Sequence, residues 1–386
     1  MRALRKIGFL IEDFGTSSPA QQLLDRFLIG YPRDGSFHRI IDLEVGAYLV
    51  VSSEPDFGSR AEDFRLRVER TAEEAVTNAD AVVVVSRRPG AVANEAFVKI
   101  ALQHAPEGAA CFIYGALANS LAKAREFVSL AASRQIALLA GTAISVTWRL
   151  PPVELVPGTP LSEALIVVQV SALAAQASPP FPPASLRGAE LHALEGLLPV
   201  IERRRGGESG VRTIRFVEGK ELWRAGDKGV WSWPLLASAL SRSHTPQGNA
   251  LLDGRTEDLV ALGLVPKLAR NPRGWLLEHG DGLRSAILVL DGVVADFNFA
   301  VRAADGSVVS AQLLRGAPPA EHHFSRLVEM IENFFRTGTA PWPIERNLLI
   351  AGLLEMFAKP AFVSGERVNI AAPGVHHGSN TQLEWR

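Results

Sequence analysis

The sequence predicts a two-domain α/β protein, with a doubly wound parallel sheet to about residue 150 and an α+β domain carrying a largely antiparallel open sheet over 151–386. Three observations carry that expectation. Short apolar, β-branched runs alternate with amphipathic helical patterns as far as Ala140. Two proline-rich segments, LPPVELVPGTP and SPPFPPAS, then break the alternation and set a boundary near 148–160. Beyond Gly210, longer strand patterns with few helices take over.

Taken in order, 5–11 reads as a strand, and Thr16, Ser17 and Ser18 supply caps for a helix over Pro19–Leu28 with proline in its first turn. GYPRDG is a turn-rich loop, and a second strand falls at 47–52. A charged helical pattern covers 60–77, and the near-continuous apolar run 79–85 suits a strand buried on both faces. Helix 93–103 leads to a strand at 110–114, and helix 121–133 to a strand at 136–140. Such a sheet places its ligand crevice at the carboxyl ends of its strands. In the second domain, 211–217, 274–278, 284–290, 294–302 and 308–314 read as an antiparallel set, with Asp281-Gly282 and Asp291-Gly292 as hairpin signals. Helices over 321–337 and 344–357 close the pattern.

The stretch 185–216 holds the best candidate for chemistry. His192 and Glu195 stand three apart on a helical pattern, so imidazole and carboxylate share one face. Leu191, Leu194, Leu197 and Leu198 form its apolar stripe, and RRRGG suits a helix C-terminus. Satisfied polar residues on an amphipathic helix are the alternative.

A formal charge of −1 gives no electrostatic case for nucleic acid or an anionic membrane. The apolar run 7–11 is too short for a signal peptide, and 164–177 falls short of the roughly 20 residues that span a bilayer. A cytoplasmic protein is expected. Cys111 is the only cysteine, which excludes an internal disulfide and a cysteine-based zinc site; inside ACFIY it reads as a small buried hydrophobe. Adjacent histidines at 322–323 and 376–377 point about 100° apart on a helix and chelate one ion poorly, so no metal is expected.

Four motifs, DRFLIGYP, LLAGTAISVTWRLP, HALEGLLPVIERRRGGESGV and PWPIERNLL, together with the terminal FFRTGTAPWPIERNLLIAGLLEMF, resemble a divergent branch of the glucose-fructose oxidoreductase, inositol dehydrogenase and rhizopine-catabolism (Gfo/Idh/MocA) superfamily over nearly the whole chain. The resemblance implies a Rossmann-like first domain that binds NAD or NADP and a second-domain sheet that joins subunits into a homodimer or homotetramer. It also implies a sugar or polyol substrate. It places His192 beside the substrate hydroxyl as acid/base, with Glu195 orienting it. Gly15, Thr16, Ser17 and Ser18 would meet the phosphates, and Glu54 or Asp56 the adenine ribose.

Two departures stand out. The turn EDFGTSSP holds one glycine where the family uses several, and two carboxylates beside a pyrophosphate repel it. The strand over Ala110–Tyr114 is followed by Gly115-Ala116-Leu117-Ala118 where the family carries a catalytic lysine. Tyr114, Trp148 and Arg149 are the remaining substrate-side candidates, Arg149 through its bidentate fork. Trp148 reads equally as a packing anchor, and Trp223, Trp231 and Trp233 as a packing cluster or a stacking surface. The expectation is an NAD(P)-dependent oxidoreductase acting on a sugar or polyol. The alternatives are a carbohydrate-binding or assembly protein without cofactor turnover, and a cofactor-free lyase or hydrolase.

Overall fold

The computed structural model describes residues 4–41, 43–50, 55–86, 93–169, 184–245, 258–317, 320–359, 365 and 367–369. The chain divides into two units, Met1–Thr147 with Arg315–Glu355, and Trp148–Leu314 with Met356–Arg386. A single boundary near residue 150 does not include this return of 315–355 to the first unit.

The first unit is a six-stranded, all-parallel sheet. Its strands are β1 (Lys6–Ile11), β4 (Glu44–Leu49), β5 (Arg67–Val68), β6 (Ala81–Val85), β7 (Ala110–Tyr114) and β8 (Ala137–Gly141), ordered β5-β4-β1-β6-β7-β8. The order reverses at β1, which lies between β4 and β6, so the doubly wound expectation holds and the switch point is at the end of β1. Every residue of β6 is buried, as the unbroken AVVVV run requires of a central parallel strand. Between β1 and β4 come α1 (Pro19–Leu28) and a hairpin of β2 (Tyr31–Arg33) and β3 (Ser36–His38). Asp34 (φ 49°) and Gly35 (φ 75°) make its two-residue turn, so GYPRDG is a hairpin and not an irregular loop.

The helix expected over 60–77 is instead three elements, α2 (Pro55–Phe64), β5 and α3 (Ala72–Val76). Arg65 turns left-handed (φ 58°) and ends α2, while Thr71 caps α3 by accepting from Glu74 N at 3.2 Å. α4 (Glu95–His104) is capped by Asn94, and α5 (Leu121–Ser133) by Ser120. Cys111 is buried in this core, and burial pushes its thiol up to about 12.

The second unit is built on one open, mixed, eight-stranded sheet. Its strands are β9 (Arg149–Leu150), β10 (Leu161–Val168), β11 (Val211–Glu218), β12 (Arg270–His279), β13 (Arg284–Asp291), β14 (Phe297–Ala303), β15 (Val308–Leu313) and β16 (Arg367–Asn369). The order is β16-β11-β12-β13-β10-β14-β15-β9, with only β10 and β13 parallel. Asp281-Gly282 joins the β12–β13 hairpin. Asp291-Gly292 makes no hairpin, because β10, from just past the domain boundary, inserts between β13 and β14. One face carries α6 (Ala184–Ile201). The other carries two helices the strand-rich reading passed over, α7 (Gly219–Asp227) and α8 (Trp233–Leu240), packed on Leu165, Val167, Leu276, Leu288 and Ala300. Trp223 and Trp231 meet Trp233 at 5.8 and 4.5 Å between ring centroids, so the tryptophan cluster stacks on itself beside this core. A short helix, α9 (Val265–Leu268), precedes β12.

In the first unit, α10 (His323–Thr337) follows, and α11 (Ile344–Phe357) runs to the end of that segment. The resemblance motifs build their ties. Arg26 donates to the carbonyls of Ala320 and Glu321 and to Ser325 Oγ. Tyr31 donates to Glu332 at 2.9 Å, and Trp342 donates from Nε1 to Ala140 O at 2.9 Å with Arg346 stacked on its ring.

Candidate functional site

The turn between β1 and α1 sits where a doubly wound sheet holds a phosphate, and its local chemistry decides what it can hold. Ser18 is the α1 N-cap and is fully buried. Its Oγ accepts from Gln21 N at 3.0 Å and from Gly15 N at 3.3 Å. Ser17 is left-handed (φ 60°), a conformation that favours glycine, and its N–H donates to Gln21 Oε1 at 2.5 Å. Ser18 N donates to Gly15 O at 2.9 Å, and Pro19 has no N–H. Thr16 Oγ1 donates to Asp56 at 3.0 Å, Phe14 packs edge-on against Phe57, and Arg60 lies 5.4 Å over Phe14 while it clasps Asp25 through two 2.9 Å bonds.

These contacts join the turn to the first residues of α2, on the side where an adenine ribose would lie. The amides of Gly15, Ser17 and Gln21 are all bonded within their own turn, which leaves these three unavailable to a pyrophosphate. The residues present do not fit a dinucleotide in this arrangement. Glu54, the first-choice ribose acid, lies outside the described residues, and Asp56 is bonded to Thr16.

Sequence reasoning placed Gly15 to Ser18 correctly at the end of β1 but missed Gln21. The signal was present: Ser18-Pro19-Ala20-Gln21 has the Ser-x-x-Gln spacing of a capping box, whose glutamine folds back on the amides preceding its helix.

At the end of β7, Gly115 takes φ 107° and donates to Gly141 O, and Ala116, Leu117 and Ala118 are fully buried. An apolar, packed turn stands where the resemblance leads one to expect a lysine. Tyr114 stacks on Phe324 with ring centroids 5.9 Å apart and shares its surroundings with Arg315 and Glu321, which the chain supplies from far downstream. Burial lowers the pKa of Arg315, with Glu321 and Tyr114 opposing that shift. This grouping had no local sequence signal.

In the second unit, α6 is buried along 188–201 except at His192, which is half-buried. His192 meets the edge of Phe297 at 6.1 Å, and Arg149 from β9 lies 5.7 Å over Phe299. Phe297 and Phe299 alternate onto one face of β14, and Leu313 pairs with both Phe297 and Arg149. The sheet therefore brings an imidazole and a guanidinium to one corner over adjacent aromatic rings. Glu195 is 1% exposed within α6, and Trp148, next to Arg149, is 37% exposed.

A second buried group lies at the end of α6. His279 bridges Glu208 through Nδ1 and Ser285 through Nε2, each at 2.9 Å, and Arg204 joins Glu208 to Asp281. Ser285, His279 and Glu208 have the connectivity of a nucleophile, base and orienting acid. All three are buried, so the group serves packing and not an incoming substrate.

Among the described residues no cluster of three or more His, Cys, Asp or Glu stands ready for a metal, and no helix is long and apolar enough to cross a membrane. His323 accepts from Gly316 N, and residues 376–377 lie outside the described residues.

No protein-family profile matches the chain, and no curated protein matches it. Solved structures do. A probable dehydrogenase from Thermotoga maritima aligns at 13% identity over 94% of this chain and 98% of its own, with a TM-score of 0.57. The myo-inositol dehydrogenase of Lactobacillus casei, solved with NAD(H) and myo-inositol, aligns at 14% over 95% and 97%, with a TM-score of 0.57. The biliverdin reductase of Synechocystis, solved with biliverdin and NADP+, aligns at 13% over 92% and 98%, with a TM-score of 0.53. At these identities the likeness establishes a shared fold. The fold is the one these dehydrogenases share.

Proposed function

We propose that this chain is a dehydrogenase-fold protein that engages a sugar- or polyol-type ligand at the His192–Arg149 corner and turns over no nicotinamide. One observation carries the reading: the amides of Gly15, Ser17 and Gln21 are bonded to side chains of their own turn. The buried apolar turn Gly115 to Ala118, in place of a lysine, supports it. At the corner, His192 exchanges a proton with a ligand hydroxyl through its half-buried imidazole. Arg149, buried against Phe299, supplies positive charge to the corner from beneath. Phe297 and Phe299, themselves buried, pack behind these two side chains and fix where they stand.

The second reading, a nicotinamide-dependent oxidoreductase acting on a sugar or polyol, is favoured by the position of the Gly15–Ser18 turn at the switch point of the sheet. It requires three turn hydrogen bonds to open before phosphate binds, at about 1 kcal/mol each. The same His192 and Arg149 would orient the substrate in either case.

Calorimetric titration of the full chain with inositols and hexuronates tests the corner. Saturable binding that weakens at least tenfold in both His192→Ala and Arg149→Met is expected. Unchanged binding in both variants removes the corner from the account.

A further inference from the structure

On the sheet face opposite α6, a cavity of about 410 Å³ opens between β10, β11, β12 and β13 and the connection from α7 to α8. Its size suits one small molecule. Leu276, Ala286, Ala164 and Leu235 line its apolar side, with Trp231 against them. Four cations and two carboxylates reach it, namely Arg215, Lys228, Arg284 and Arg367 against Glu163 and Glu278.

The carboxylates are already matched. Glu163 pairs with Arg284 and with Arg302, and Glu278 pairs with Arg367 and with Arg212. That leaves two cations. Arg215 donates Nε to Gly365 O at 2.8 Å, and among the described residues neither it nor Lys228 meets a carboxylate. Unmatched charge above an apolar floor attracts a ligand that brings an opposite charge and a ring or hydrocarbon body, because each part then replaces water with a complementary surface. Arg215 is held in place by its bond to Gly365.

We propose that this cavity is a binding site for a small organic anion, a phosphate or carboxylate carried on a ring, with Arg215 and Lys228 meeting the anion and Leu276, Ala286 and Leu235 meeting the ring. The site is separate from the His192 corner, on the other face of the sheet, and does not depend on the reading of the nucleotide turn.

Phenyl phosphate is the probe, titrated calorimetrically into the full chain beside inorganic phosphate and phenol, which carry its two halves alone. The expected result is one saturable site per chain, with each half binding at least tenfold more weakly than the whole. Lys228→Glu changes an exposed side chain and leaves the fold intact, and it weakens phenyl phosphate at least tenfold; Arg215→Gln does the same. Absence of saturable binding at millimolar concentration overturns the proposal. So does equal affinity in Lys228→Glu, or inorganic phosphate binding as tightly as phenyl phosphate.

Discussion

Glu208 is fully buried, and burial alone would raise its pKa; His279 and Arg204 outweigh that and hold the carboxyl well below the usual carboxylate range. A carboxyl depressed in the folded state adds stability that is complete above its unfolded pKa of about 4.3 and fades as pH falls toward the folded value. Glu208→Gln therefore flattens the acid limb of the stability curve below that pH, measured by urea unfolding at a series of pH values. His279→Ala leaves the cluster with a missing partner and costs about 3 kcal/mol at neutral pH. At this scale the sequence showed RRRGGES as a helix end but not that Arg204 and Glu208 form a buried pair. The partners His279, Asp281 and Ser285 arrive from a hairpin far along the chain. His192 was legible because its spacing and motif are local; its floor of Phe297 and Phe299 was not, because a strand pairing supplies it.

At the scale of elements, the α1–α2 pair shows what ties down the turn between β1 and α1. Arg60 on α2 grips Asp25 on α1 with two bonds of 2.9 Å and covers Phe14, so the hydrogen bonding by Asp25 outweighs burial and raises the arginine pKa. Arg60→Ala lowers stability by about 1 kcal/mol and speeds amide hydrogen exchange in α2 ahead of the rest of the sheet. Exchange in α2 that matches the wild type counts against this tie. Helix α5 was read to the residue because Ser120 and the apolar stripe are local signals. The helix expected at 60–77 broke because Arg65 takes a left-handed backbone that no composition rule marks. Gln21 belongs to the same lesson: its capping-box spacing was on the page, but hydroxyl-rich turns are easily read as phosphate donors before their own side chains are counted.

For the whole molecule, alternation of strand and helix gave the first unit its class, and the change of texture near Leu150 marked the second. The return of 315–355 to the first unit followed no compositional shift; Arg26, Tyr31 and Trp342, all inside resemblance motifs, are what hold it. Those motifs thus record the fold more than a reaction. In the second unit α7 and α8 occupy the sheet face opposite α6, which leaves less apolar sheet for a partner subunit than an uncovered face would. A monomeric mass by light scattering at micromolar concentration is the expected outcome, and a stable dimer mass counts against it.

The turn between β1 and α1 bonds the amides of Gly15, Ser17 and Gln21 to its own side chains. Titration of the full chain with NADH and NADPH, followed by nicotinamide fluorescence, tests it directly. No saturable enhancement is expected for either at millimolar concentration. Saturable binding of either at micromolar concentration contradicts it and returns the chain to the nicotinamide-dependent oxidoreductases.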